Sequence, residues 1–315
     1  MSAGSQPLER DRRAQLLALA EELRPELHRY CARLMGSVID GEDVVQDTLV
    51  RAFAALQDLK SEDFDETPPL RPWLFRIAHN RALDLLRGGA VRAAEPIDAA
   101  SDVADPSSPD PVEMLMRQEA VKTAVSRFVE LPTLQRSVVI LKDVLDESLI
   151  DIAALLDLTV DAVKGHLARG RSRLREINAQ ARPPAATRPA SAAAARYAAL
   201  FNRRDWDALR ALLADDVKLK QSAHPLRVGR ADVGMFFTIY ARSNVWLVPA
   251  WLEGREVIAV FEERADPKPS YMMWLGWCDG RISFIRDYRH VRYVAADAEL
   301  ALAPNVDPAG RADAH

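Results

Sequence analysis

Two segments of the chain repeat apolar residues with the 3.6-residue period of an amphipathic helix. The first spans residues 72–87 and the second spans residues 149–177. Within the second segment, a short helical pattern reaches a turn at Asp157 and Leu158, and Thr159 is positioned to cap a new helix. A short helix, a turn and a longer helix form the layout of a helix-turn-helix.

The longer helix after this turn has an apolar side and an opposite side of small residues. The residues predicted to pack inward are Val163, Leu167, Gly170, Leu174 and Ile177. The side facing away from them carries Asp161, Gly165, Ala168 and Ser172, between one edge of Lys164, Arg171 and Arg175 and another of His166, Arg169 and Arg173. Small residues between cationic edges favour insertion into a DNA major groove, with base contacts from the first turns and phosphate contacts from the later arginines. A solvated basic face, favoured by the helix dipole, is the alternative interpretation.

The first amphipathic segment carries a mixed polar stripe. Helical spacing places Trp73, Arg76, Asn80, Asp84 and Arg87 on one side. Aromatic, amide and guanidinium groups together can stack on unpaired bases and hydrogen-bond to them. The segment therefore predicts contact with single-stranded nucleic acid.

A third helical pattern, over residues 40–56, has two distinct faces. One face is apolar and should meet a core, and it comprises Val45, Leu49, Phe53 and Leu56. The other is largely acidic and comprises Asp43, Gln46, Asp47 and Val50. Two faces imply two partners, the domain's own core and another protein. Alternatively, the acidic residues merely stabilise a helix N-terminus.

These segments together resemble conserved regions 2 and 4 of the extracytoplasmic-function RNA polymerase sigma factors. The resemblance covers about residues 10 to 178, and it rests on three motifs in the family's order, at residues 40–56, 71–87 and 131–175. It implies that core RNA polymerase, through its β′ coiled coil and β flap, and promoter DNA are the partners. Many family members have Ser-Arg where this chain has Gly165 and His166, so the base preference of the helix is not transferred.

The resemblance also implies a role for each set of residues. Those expected to dock on the polymerase β′ coiled coil are Glu42, Asp43, Gln46, Asp47 and Arg51. Those expected to contact the melted minus-ten element are Trp73, Arg76, Asn80, Asp84 and Arg87. Those expected to contact the minus-thirty-five element are Thr159, Asp161, Lys164, Gly165, His166, Arg169, Arg171 and Arg173.

Charge and composition agree with a modular DNA-binding protein. The 315 residues are 49% hydrophobic and 28% charged, enough for two or three cores. The net charge of -4 hides two basic segments, because residues 68–92 carry five arginines against Asp84 and residues 164–182 carry six cations against Glu176. Cys31 and Cys278 are expected in different domains, which predicts two reduced thiols. The sequence indicates no metal or cofactor site, and without an apolar run of about 20 residues it predicts a cytoplasmic protein.

Shifts in composition predict three folded domains. The predicted fold is multidomain, with two all-α sigma domains, a region 2 helical bundle and a region 4 helix-turn-helix, followed by a C-terminal α+β cone. The expected boundaries are 11–88 for region 2, 89–111 for an acidic linker, 112–178 for region 4, 179–190 for a Pro/Ala linker, 191–295 for the cone and 296–315 for a tail. The first linker is either an idle tether or, as the family suggests, a segment that threads through polymerase. A second acidic stretch, residues 57–69, lies where the family has its loop for capturing a flipped minus-ten base, and the resemblance makes Phe64 a candidate for stacking on that base.

The C-terminal domain is marked by its aromatic residues, since fifteen of the twenty-one lie after residue 185. Predicted helices at 191–201 and 206–213 precede alternating runs near Val217 and at 245–253, 257–262, 271–276 and 282–294. This order predicts an α+β layer of several antiparallel strands, with helices on one face of a curved sheet. Residues 201–217 resemble the first two helices of the SnoaL-like domain, a cone-shaped fold.

A cone of this kind can hold an apolar ligand. The candidate pocket residues are Trp251, Tyr271, Trp274 and Asp287. Asp287 could act as a base with Tyr271 as a donor, whereas His290, an odd number of residues away on a predicted strand, should face the opposite way. Aromatic residues that only form a core remain an alternative.

The sequence therefore predicts a non-enzymatic transcription initiation factor whose C-terminal domain regulates it in cis, through a small-molecule or protein effector. Two other classes stay open. One is a helix-turn-helix regulator that acts without core polymerase. The other is a SnoaL-like enzyme with a DNA-binding appendage.

Overall fold

A computed structural model describes residues 5–58, 69–89, 111–180, 188–222, 224–263 and 266–304. The chain divides into two compact units, Met1–Ala181 and Arg182–His315. Phe64 and most of both predicted linkers lie outside the described residues.

The described part of the first unit is helical. Its elements are α1 (Ser5–Met35), α2 (Val38–Asp58), α3 (Leu70–Gly89), α4 (Pro111–Lys122), a 3₁₀ turn (Val125–Glu130), α5 (Thr133–Val139), a π-helical turn (Ile140–Val144), α6 (Leu149–Leu156) and α7 (Val160–Ala179). Buried apolar side chains from α1, α2 and α3 join those of α5, α6 and α7 in one continuous cluster. The helices of the two predicted sigma domains thus share a hydrophobic core.

The first three helices pack closely because small and aromatic residues meet between them. A side chain at Gly41 on α2 would come within 2.5 Å of the backbone of Ala32 on α1, so glycine permits this approach. The ring of Tyr30 on α1 meets the edge of Phe75 on α3, with centroids 5.7 Å apart. On α2, Val45 and Leu49 are buried as the apolar pattern predicted.

The predicted helix-turn-helix is present, with its caps. Ser148 caps α6 by accepting a hydrogen bond from the Asp151 amide, and α6 ends at Asp157 in the left-handed conformation, with φ of 56°. Thr159 then caps α7. All five residues predicted to face inward from α7 are buried, which confirms the helical wheel.

The second unit is an α+β domain around a seven-stranded sheet. Its helices are α8 (Ala192–Asn202), α9 (Trp206–Ala211), α10 (Arg230–Gly234), α11 (Phe236–Tyr240) and α12 (Tyr293–Ala296). Its strands are β1 (Leu213–Gln221), β2 (Arg227–Val228), β3 (Trp246–Leu252), β4 (Arg255–Phe261), β5 (Tyr271–Cys278), β6 (Arg281–Asp287) and β7 (Ala301–Leu302). The strand order is β2-β1-β6-β5-β4-β3-β7. Helices pack against this sheet, since α8 contacts β3 and β4 while α10 contacts β1.

Two details of this sheet differ from the expectation. The strand pairs of the described sheet are antiparallel as predicted, except that β1 and β6 pair in parallel. The last long strand ends at Asp287 instead of continuing to residue 294, because Val291 and Val294 donate backbone hydrogen bonds to residues three positions earlier and form turns. His290 therefore lies in a turn, and the argument that placed it on the strand face opposite Asp287 does not apply. No helix within the described ranges has the length and apolar character needed to span a membrane.

Candidate nucleic-acid interface

The N-terminal part of α7 presents an exposed surface beside the turn. The Thr159 hydroxyl accepts the Ala162 amide proton at 3.1 Å, which holds the first turn in place. Asp161, Ala168 and Ser172 are exposed, as predicted for the side opposite the core. These exposed side chains leave this side of α7 accessible to a nucleic acid.

The backbone of Gly165 is not exposed on this surface. It is buried because the Arg169 guanidinium lies over it, 3.4 Å from where a side chain would begin. Arg169 also approaches His166 Nδ1 at 3.5 Å, and partial burial followed by the charge of Arg169 lowers the pKa of His166. Gly165, His166 and Arg169 thus form one packed group, with a neutral imidazole at pH 7 that can both donate and accept a hydrogen bond.

Arg171 was predicted to contact DNA, but the structure gives it another role. Its guanidinium donates two hydrogen bonds, of 3.0 and 2.6 Å, to the carboxylate of Asp143, which is buried in the π-helical turn. A bidentate bond to a buried carboxylate holds α7 against the preceding turn. Arg173, by contrast, is exposed, and its partner among the described residues is exposed Glu176 at 2.9 Å, so it remains available to a phosphate.

The polar stripe on α3 is largely exposed. Arg76, Asn80, Asp84 and Arg87 face solvent, while Trp73 is half-buried against the core. Arg76 also donates a hydrogen bond of 2.6 Å to the backbone carbonyl of Ala154 on α6. The predicted stripe therefore exists as a surface, and one of its members touches the helix-turn-helix.

Beneath this stripe lies a residue that the sequence analysis missed. His79 is buried, and its Nδ1 is 2.7 Å from the hydroxyl of Tyr30. Burial, and then the positive charge of Arg87, lower the pKa of His79 to about 4, so the ring is neutral. The sequence does contain a signal for its burial, because His79 lies at helical spacing from two apolar residues, Phe75 and Ala82.

The acidic face predicted on α2 lies only partly at the surface. Asp43, Gln46 and Asp47 are half-buried, and Arg51 is exposed. Glu42, however, was wrongly predicted to meet a partner, since it is fully buried and binds the Arg24 guanidinium at 2.9 Å. A buried, paired carboxylate supports the fold of α1 and α2 and presents no surface.

Asp47 connects the acidic face to the stripe on α3. Its carboxylate accepts hydrogen bonds of 2.9 and 2.7 Å from the Arg81 guanidinium. Arg81 follows Asn80 on α3, so the ion pair fixes the stripe relative to the acidic face. No local pattern indicates this pairing, because the two residues lie 34 positions apart along the chain.

In the second unit, a buried polar cluster forms where β1 and β6 end and β5 begins. Asp287 accepts hydrogen bonds from Gln221 at 2.7 Å, from the Tyr240 hydroxyl at 3.4 Å and from the Arg289 amide at 3.0 Å. The Tyr271 hydroxyl in turn donates to Tyr240 at 3.0 Å. Of the four predicted pocket residues, Tyr271 and Asp287 are therefore brought together.

The other two predicted pocket residues do not join this cluster. Trp274 is an odd number of positions from Tyr271 on β5, so it faces the other side of the sheet, where its ring meets Phe284. Trp251 lies at the opposite end of the sheet and donates to the Arg188 carbonyl at 3.0 Å. A pocket that uses all four residues is therefore excluded by the strand register.

The cluster has unusual protonation properties. Burial raises the pKa of Asp287 to about 6, although its hydrogen bonds to Gln221 and the Arg289 amide oppose that shift. The pKa of Tyr271 is raised above its usual value, chiefly by burial. Tyr197, also buried nearby, has a hydroxyl without a hydrogen-bond partner among the described residues.

Cys31 is buried in the first unit and Cys278 is exposed in the second, and both are free thiols. Among the described residues, no group of three or more His, Cys, Asp or Glu side chains is arranged to hold a metal ion.

Comparisons with known proteins match each part of the chain. Residues 19–91 match the family model for Sigma-70 region 2, residues 119–174 match Sigma-70, region 4, and residues 194–284 match the SnoaL-like domain. The RNA polymerase sigma factor CnrH of Cupriavidus metallidurans is 37% identical over 142 residues, which cover 43% of this chain and 71% of CnrH. The chain belongs to the extracytoplasmic-function RNA polymerase sigma factors.

A second relative of this sigma factor extends further along the chain. The ECF RNA polymerase sigma factor SigG of Mycobacterium tuberculosis is 34% identical over 237 residues, or 66% of this chain. The chain spans 61% of the length of SigG. Among solved structures, the extracytoplasmic function sigma factor SigJ of Mycobacterium tuberculosis is 20% identical, and the match covers 86% of this chain and 95% of the SigJ chain, with a TM-score of 0.33.

Proposed function

We propose that this sigma factor binds core RNA polymerase, directs it to promoters with minus-thirty-five and minus-ten elements, and thereby starts transcription. The observation that carries the proposal is the coexistence, within one unit, of a polar stripe on α3, with exposed Asn80 beside half-buried Trp73, and a capped helix-turn-helix at α6 and α7. A regulator of duplex DNA has no use for the first of these surfaces, whereas a factor that opens DNA needs both.

Each element has a distinct proposed task. α7 enters the major groove of the minus-thirty-five element, with His166 and Arg169 as one base-contacting group and Arg173 on the phosphates. On α3, Asn80 and Arg76 hydrogen-bond to melted minus-ten bases, while half-buried Trp73 stacks beside them. Arg171 and Gly165 support α7 from within and make no base contact.

The partner surface on core polymerase is also part of the proposal. Asp43, Gln46, Asp47 and Arg51 on α2 meet the β′ coiled coil, and region 4 meets the β flap. The surface of α2 supports the first assignment, because exposed Val50 adds an apolar group to the half-buried acidic side chains. Glu42 is left out of the interface because it is buried.

Two readouts with purified core polymerase separate these tasks. Run-off transcription reports on the open complex, and binding to core polymerase is measured separately. Asn80→Ala should abolish most open complex while leaving binding to core polymerase unchanged, because Asn80 is exposed on α3 and is not part of the α2 surface assigned to polymerase. Asp43→Lys should weaken core binding instead. As a matched control, Asp207→Lys changes an exposed carboxylate in the second unit and should leave both readouts unchanged. Equal loss of both readouts in Asn80→Ala would count against the separation.

For the C-terminal domain we propose regulation in cis. A ligand or protein that binds this domain shifts the population of active sigma factor, in place of a separate inhibitor. Truncation after Ala181 should change promoter activity in run-off transcription, and identical transcription from the two chains would rule the regulation out.

One observation favours a small-molecule ligand as the effector of the C-terminal domain. The Asp287 cluster offers tyrosine hydroxyls and a carboxyl of raised pKa beside aromatic rings, a chemistry suited to a neutral compound with a carbonyl or hydroxyl oxygen. Turnover of such a compound by the chain without polymerase would instead support an enzyme.

A further inference from the structure

The sheet of the second unit has two faces, and the Asp287 cluster lies on only one of them. Leu219 on β1, Ile285 on β6 and Leu275 on β5 lie side by side in the strand register and belong to the buried core. Asp287 follows Ile285 by two positions and shares its face. The residues that alternate with these along each strand point to the opposite face, which is a separate surface.

This opposite face combines aromatic rings with cations on three neighbouring strands. The register places Lys218 of β1 beside Phe284 of β6, and it places Lys220 of β1 beside Arg286 of β6. Arg286 in turn lies beside Trp274 of β5. Adjacent strands are about 4.8 Å apart, so each ring has a cation on the next strand within reach.

A fourth cation extends this surface toward the start of β6. Arg281 precedes Ile282, which is a core residue, so the Arg281 side chain points to the other face. Six residues, which we call the β-face, are Lys218, Lys220, Trp274, Arg281, Phe284 and Arg286. None of the six carries a carboxylate. Their like charges oppose pairing with a second copy, because a two-fold interface would bring this face against itself.

The rings of the β-face are accessible, and packing fixes their orientation. Trp274 and Phe284 are half-buried, and their rings meet edge to face with centroids 5.6 Å apart. Gly276 leaves room for this arrangement, because a side chain there would begin 3.1 Å from the Phe284 Cβ. Lys218 and Arg281 are exposed beside these rings.

This combination suits a single nucleic-acid strand. Unpaired bases stack on accessible aromatic rings while the phosphates bind nearby cations, whereas a duplex keeps its bases stacked on one another. Arg286 is buried, so it contributes charge to the surface and not a direct contact. The six side chains include no hydrogen-bond acceptor for the 2′-hydroxyl that distinguishes RNA, which favours DNA as the occupant.

We propose that the β-face is a binding site for single-stranded DNA, with bases stacked on its two aromatic rings and phosphates held by its lysines and Arg281. The site is additional to the polar stripe on α3. That the strand comes from a melted promoter rests on the proposed function, whereas the binding itself does not.

Fluorescence anisotropy of a labelled oligothymidine of about 12 nucleotides tests the site on the full chain without polymerase. Trp274→Ala removes one stacking ring and should weaken binding roughly tenfold. Trp274→Phe retains a ring and should weaken binding less. The matched control is Trp251→Ala, which removes a half-buried tryptophan at the opposite end of the sheet and should leave binding unchanged. Circular dichroism verifies that every variant is folded.

Salt dependence tests the cations separately from the rings. The double variant Lys218→Gln and Arg281→Gln should reduce the slope of log Kd against log salt concentration by about 1.4, since each phosphate contact contributes about 0.7 for single strands. Arg196→Gln changes an exposed arginine on α8 and should leave the slope unchanged. Photocrosslinking of the oligothymidine should label the peptide that contains Trp274 and Phe284, which distinguishes the β-face from the α3 stripe.

Unchanged affinity and salt slope in the β-face variants would overturn the proposal, as would crosslinks confined to the first unit. Tighter binding of an oligouridine of the same length would overturn the assignment to DNA. A dimer that Trp274→Ala abolishes in sedimentation would overturn it in favour of a second copy. The crosslink at the β-face should persist in Asn80→Ala, so failure of the promoter function and failure of this site are distinguishable.

Discussion

The pH dependence of the second unit provides a quantitative test of its buried Asp287 cluster. Burial raises the pKa of Asp287 from its ordinary 3.8 to about 6. The folded protein therefore binds a proton at Asp287 that the unfolded chain has already released between these two values. Stability from the protonated carboxyl is fully present below pH 3.8 and is lost as pH rises to about 6. The difference in pKa corresponds to about 3 kcal/mol.

Asp287→Asn should remove this dependence. The amide occupies the same volume and cannot ionise. Between pH 4 and pH 7 the free energy of unfolding should therefore fall by about 2.4 kcal/mol more in the unsubstituted protein than in the variant. Urea unfolding followed by tryptophan fluorescence reports mainly on the second unit, which contains five of the six tryptophans. The exposed Asp279→Asn is the matched control and should retain the original dependence. A constant difference between Asp287→Asn and the unsubstituted protein across this range would refute the reasoning.

Substitutions at four further positions test the helix-turn-helix. Arg171→Ala leaves the carboxylate of Asp143 buried without its main partner and should lower the free energy of unfolding by about 3 kcal/mol, whereas exposed Arg173→Ala should cost under about 1 kcal/mol but weaken DNA binding. Urea unfolding and salt-dependent DNA binding by the polymerase complex would separate the two, and equal stability losses would contradict the assignment. Gly170→Ala would bring a methyl group within 2.6 Å of a neighbouring valine on α5 and should destabilise by about 1–3 kcal/mol in the same assay, so an unchanged midpoint would show that the contact relaxes. Thr159→Ala removes the cap of α7 and should cost about 1 kcal/mol, while Thr159→Ser should restore it.

The sequence predicted local helical features well because these depend on residues close together along the chain. Thr159 and Ser191 were expected to begin helices, and each caps its helix through its hydroxyl. The inward side of α7 also followed from periodicity alone. Such features arise from spacings of three or four residues, which are visible in any single sequence.

Pairings between distant residues were not predictable in this way. Arg171 lies on a cationic edge of α7, and only the fold shows that a carboxylate 28 residues earlier occupies it. Glu42 belongs to an acidic pattern, but Arg24 on the neighbouring helix accounts for its charge within the core. The parallel pairing of β1 with β6 similarly depends on a connection that spans most of the domain.

The central claim, that this chain directs core polymerase to promoters, is tested most directly by selecting DNA from a random library with the chain alone and with the chain bound to core polymerase. We predict that the chain alone recovers no specific sequence, and that the complex recovers two conserved elements about 25 base pairs apart, with the downstream element reactive to permanganate as melted DNA. Recovery of one specific duplex site by the chain alone, together with no detectable binding to core polymerase, would contradict the account and identify a conventional helix-turn-helix regulator.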